Sequence, residues 1–82
     1  MNLCMEFNLA NIENNVMAMP NYENGKQIIV LFVKKGSEHF ATEFRLMYLE
    51  TFNYSLQIFE TSSWNTKSGF CTMMKFKEND LD

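Results

Sequence analysis

The sequence predicts an α+β domain: an antiparallel sheet of four to five strands, ordered β-β-β-α-β-β, with one helix packed on one face. Three observations carry this. Ile28-Ile29-Val30-Leu31-Phe32-Val33 is an unbroken apolar run of strand length, rich in β-branched residues. Residues 2–9, 52–58 and 70–76 each alternate apolar with polar side chains, the period of a half-buried strand. Between them, Phe40, Phe44, Met47 and Tyr48 recur at helical spacing.

In chain order, the alternation of Leu3, Met5, Phe7 and Leu9 with Asn2, Cys4, Glu6 and Asn8 predicts a first strand. Residues 10–15 are polar and Asn-rich, hence a loop, although Ile12 and Val16 also fit one helical turn. Val16–Met19 reads as a short strand, and residues 20–25 as a turn, because Asn24-Gly25 tolerates the positive φ that tight hairpins require. The strand around Ile28–Val33 then pairs back on it.

Ser37 suits a helix N-cap and Glu38 the first helical turn, where the helix dipole favours an acid. A helix over about 37–50 follows, carried by good helix formers. Phe40, Thr42, Phe44, Leu46 and Tyr48 also alternate with period two, and that pattern supports a different answer, a small all-β barrel or meander. The absence of a Gly or Pro turn between Leu49 and Phe52 favours the helix. Phe52, Tyr54, Leu56 and Ile58 form the next strand, residues 61–69 a polar loop, and Phe70–Phe76 the last strand. Residues 78–82 read as a frayed acidic tail. With 82 residues and neither linker nor repeat, residues 1–82 are one domain.

A net charge of −3 argues against a general nucleic-acid binder, which needs a basic surface to release counterions from phosphates. No apolar run approaches the ~20 residues of a membrane span. Cys4 and Cys71 fall short of a disulfide scaffold, and no basic, apolar leader opens the chain, so reduced thiols in a cytoplasmic protein are expected. The small size and the ten Asn, with other residues of AT-rich codons, are the composition of many small accessory proteins of bacteriophages and low-GC bacteria, and a bacteriophage origin would place the chain in a host cell's cytoplasm.

The sequence carries no pattern for chemistry. His39 is the one histidine, and Ser37, two residues away, does not face it on a helix. Cys4, Cys71 and His39 lack the paired spacing of a zinc site, and Gly25, Gly36 and Gly69 are isolated, so there is no phosphate loop. Asn53-Tyr54-Ser55 matches a glycosylation sequon by chance, inside an expected strand. The expectation is therefore no catalytic residue, no metal and no cofactor.

Function is then sought in binding. The central strand has two apolar faces, and one helix covers only one of them. The uncovered face is expected to meet another protein or a second copy of the chain, through Ile29, Leu31 and Val33, with Trp64 and Met73 beside them. A Trp in a polar loop suits a partner anchor. The expected activity is that of a small protein-binding module, an inhibitor or adaptor of a larger protein. The alternative is a single-stranded nucleic-acid binder using Lys34, Lys35, Lys67, Lys75 and Lys77 with Phe70 as a stacking residue.

Overall fold

The computed structural model describes residues 3–67 and 69–79, with the backbone alone at Phe70 and Cys71. The order is α1 (Leu3–Ala10), β1 (Val16–Glu23), β2 (Lys26–Lys34), α2 (Phe40–Phe52), β3 (Leu56–Ser63) and β4 (Phe70–Glu78). The four strands form one antiparallel sheet in the spatial order β1-β2-β4-β3, with both helices on the same face. The α+β class is as expected. The order is α-β-β-α-β-β, with two helices, and the sheet is open, which removes the barrel alternative.

The first segment is the main correction. Residues 3–10 are a helix because Leu3, Cys4 and Phe7 form one buried stripe, whereas Met5 and Leu9 stand exposed. Alternation over eight residues contains the i, i+4 pairs of a helix as well, so the pattern could not separate the two. Asn11 and Asn14 then close turns, and Asn15 takes φ 53° before β1 begins.

β1 is longer than expected and runs through Pro20 to Glu23. The turn is confined to Asn24 and Gly25, at φ 52° and 78°, the two left-handed positions of a tight hairpin. α2 starts at Phe40, not Ser37. Ser37 is buried in the preceding turn, and the Glu38 carboxylate accepts the Gly36 N–H at 3.0 Å. α2 ends at Asn53, whose left-handed backbone returns its N–H to the Leu49 carbonyl. Phe52 belongs to this helix, so β3 begins at Leu56 and takes Thr61–Ser63 from the expected loop. Glu78, expected in the tail, ends β4, and Asn79 donates to the Ser55 carbonyl; residues 80–82 lie outside the described residues.

The core lies between helices and sheet. Phe7 and Phe44 meet edge to face at 5.0 Å and join α1 to α2. Beneath them lie Val16 and Ala18 of β1, Ile29, Leu31 and Val33 of β2, Met74 and Phe76 of β4 and Leu56 of β3. Burying each large side chain among these contributes about 1.5–3 kcal/mol. Tyr48 fastens α2 to the end of β4 by donating its O–H to Glu78 Oε1 at 2.6 Å. Desolvation first, and then this bond, hold its phenol above the usual range.

Candidate interaction surface

Side chains alternate across a sheet, so the parity that buries Ile29, Leu31 and Val33 sends Ile28, Val30 and Phe32 to the other face. Among the described residues, no helix lies on that face. Register places Met17 opposite Phe32 and Met19 opposite Val30 on one side, and Met73 opposite Phe32 on the other. Trp64, just beyond β3, closes on Phe32 edge to face at 6.5 Å. The result is an apolar field across three strands. Met17 and Met19 are each more than 40% exposed and Trp64 39% exposed.

A set of charges bounds this field. Lys75 stands opposite Val30 on β4, and its ammonium meets Glu23 Oε2 of β1 at 2.8 Å and Glu60 Oε2 of β3 at 3.2 Å. One lysine thus joins both outer strands across the sheet. Its hydrogen bonds to the two carboxylates raise its pKa above the ordinary 10.5. Its aliphatic stem starts beside Val30, its register partner, and ends with the ammonium at the two carboxylates. Val30 is 3% exposed on a face without a helix, which is consistent with that cover. Beyond it, the Lys77 ammonium lies 5.6 Å above the Phe59 ring.

The expected contact residues divide accordingly. Ile29, Leu31 and Val33 are not on the open face. They form the floor of the core, Leu31 and Val33 without any exposure, so the parity assigned to the outer face is reversed. Trp64 and Met73 do lie on the open face, together with Met17, Met19 and Phe32, which sequence reasoning passed over. The Val-Met-Ala-Met sequence of residues 16–19, small side chains alternating with large flexible ones, was the available signal.

The lysines do not gather. Lys34 and Lys35 lie at the end of β2 and Lys67 in the β3–β4 loop, while Lys75 and Lys77 lie further along β4. Phe70 pairs with Lys34 in register, and its side chain lies outside the described residues. His39 is the residue before α2, with its ring 4.3 Å from that of Phe40. Cys4 is buried as a free thiol, and burial pushes its pKa up to about 11, which keeps it protonated and unreactive.

On the helix side, a half-open hollow of about 1300 Å³ lies between α1 and α2 at the hairpin end, with Leu3, Cys4, Ile29, Tyr48 and Phe52 in its walls. Its phenol and the Glu78 carboxylate are bonded to each other. Among the described residues, no three His, Cys, Asp or Glu side chains are placed to hold a metal, and no helix is long and apolar enough to cross a membrane.

Compared with known proteins, the chain matches no family model, no curated protein and no solved structure.

Proposed function

We propose that this chain is a small non-enzymatic protein-binding module that works in the cytoplasm as an inhibitor or adaptor of a larger protein, of the kind bacteriophages encode, and that it also associates with itself. The open sheet face carries this reading. Methionines and aromatic rings, bordered by charge, make an adaptable apolar contact of the type that binds protein surfaces. Exposed apolar side chains in one field favour a partner more strongly than the same side chains scattered.

A single-stranded nucleic acid fits the face less well. Lys75 is tied to two carboxylates and the chain carries a net charge of −3, so few cations are left for phosphates on that side.

The test is affinity capture with mass spectrometry, run in parallel on the wild type and on Met17→Lys and Met73→Lys. A protein bound by the wild type and lost with both variants, each folded by circular dichroism, is the expected result. Trp64, the one tryptophan, reports the contact directly: its emission shifts to shorter wavelength when the partner covers it. Capture unaffected by both variants would remove the open face from the reading. A gel shift with single-stranded oligonucleotides that weakens as salt rises would move the assignment to nucleic acid.

A further inference from the structure

The two outer strands are finished differently. In an antiparallel sheet both backbone groups of a residue point to the same neighbour and alternate along the strand. On β1 the outward residues are Val16, Ala18, Pro20 and Tyr22. The Asn8 side chain takes both groups of Ala18, donating from Nδ2 to the carbonyl at 2.8 Å and accepting the N–H on Oδ1 at 2.7 Å. Pro20 has no N–H to offer, and the Tyr22 N–H is taken by Asn21 Oδ1 at 2.8 Å. Among the described residues, Val16 is then the one outward residue of β1 whose N–H is not already bonded or missing, so this edge has few donors to offer.

On β3 the register through β2 and β4 turns Leu56, Ile58, Thr61 and Ser63 outward. Arg45 Nε donates to the Leu56 carbonyl at 3.2 Å. Among the described residues, no hydrogen bond reaches the outward backbone groups of Ile58, Thr61 and Ser63. The bulge between Ile58 and Glu60 leaves Glu60–Ser63 as the regular open stretch. That stretch has no proline and no lysine, the residues that commonly protect an edge. Its one charge, Glu60, is held by Lys75. Beside it Ile58, Leu46 and Leu49 stand exposed, the two leucines close to Leu56.

We propose that the β3 edge pairs with the β3 edge of a second copy, antiparallel, across a two-fold axis beside Ser62. Thr61 then exchanges both backbone bonds with Ser63 of the second copy, and Ser63 with its Thr61, four bonds in all. The second copy is the occupant because its edge brings uncharged Thr, Ser and Ser against the same residues, and its Glu60 is drawn toward Lys75 of its own sheet. Since β1 has few outward donors among the described residues, a further copy gains little by adding there, and the two-fold assembly closes at two chains. The eight-stranded sheet that results has Asn8-sealed strands at both ends and leaves the open face free. The inference names the self-association of the proposed function and stands apart from its partner face.

Light scattering on a sizing column tests it, at protein concentrations from about 10 μM to about 1 mM. The expected mass rises from 9.7 kDa toward twice that value. Thr61→Pro, which removes an outward N–H as Pro20 does on β1, weakens association at least tenfold, and Thr61→Val leaves it unchanged. Met73→Lys, on the open face, also leaves it unchanged. If Thr61→Pro fails to fold, Ile58→Lys decides by the same measurement. Amide exchange supplies an independent readout: the Thr61 and Ser63 N–H groups gain protection as concentration rises. A mass of 9.7 kDa throughout overturns the proposal. So does a dimer abolished by Met73→Lys and untouched by Thr61→Pro, an outcome that moves self-association to the open face and leaves the partner reading standing.

Discussion

The Asn8 carboxamide occupies the place of a neighbouring strand for Ala18, meeting its N–H and its carbonyl at 2.7 and 2.8 Å. A helix thereby finishes a sheet edge with one polar side chain, and α1 is fixed over β1 by the same contact.

Asn8→Ala leaves both edge groups of Ala18 to water and loosens α1. Each net hydrogen bond contributes about 0.5–1.5 kcal/mol, so a loss of about 1–3 kcal/mol is expected in urea unfolding. Asn8→Asp has the same size but presents oxygen where the carbonyl of Ala18 needs a donor. It is expected to destabilise at least as much at neutral pH, and an Asp variant as stable as the wild type would remove the bidentate bond from the account.

Phe44 is wholly buried and its ring contact with Phe7 joins the helices. Phe44→Ala is expected to cost about 3–5 kcal/mol. A small domain commonly has about 5–15 kcal/mol in total. The variant should therefore sit near its unfolding midpoint, read as a drop in thermal transition by circular dichroism.

Lys75 joins β1 and β3 through two carboxylates that hold its pKa above 10.5. A raised pKa in the folded state means a stabilisation fully present below the unfolded value and lost as pH rises through the folded one. Lys75→Met keeps an apolar stem over Val30 and removes the ammonium. The variant should unfold at lower urea than the wild type at pH 7, by a gap that narrows in 1 M salt. The same gap should close as pH rises above 10.5. A gap that is constant in pH would mean that packing alone is responsible.

Cys4 is buried and its thiol pKa is raised from 9.0 to about 11 by desolvation. The neutral thiol is favoured in the fold, so its contribution is present below pH 9.0 and is lost as pH rises toward 11. In a Cys71→Ser background, Cys4 should react with a disulfide reagent at pH 8 only at the rate of unfolding, and at full speed in denaturant. Rapid labelling of the folded protein would contradict the burial.

The residues themselves declare much of this protein. Ile28–Val33 is a strand because six large apolar residues, four of them β-branched (Ile28, Ile29, Val30 and Val33), leave no polar face for a surface helix. Asn24-Gly25 sets the hairpin because both positions take positive φ. Phe40, Phe44, Met47 and Tyr48 mark α2 by their spacing, together with good helix formers and the absence of a Gly or Pro turn before Phe52. The two apolar faces of β2 follow from alternation. Tertiary structure decided the rest. An eight-residue alternation serves helix and strand equally, and Leu3–Ala10 became a helix because Leu3, Cys4 and Phe7 are buried together against β1 and α2. Which parity of β2 faces the helices is a matter of register and of where the helices dock, so Leu31 and Val33 went inward and Phe32 outward. The sealing of β1 by Asn8 and the joining of Glu23, Lys75 and Glu60 bring together residues far apart in sequence, and such contacts exist only once the strands have taken their order.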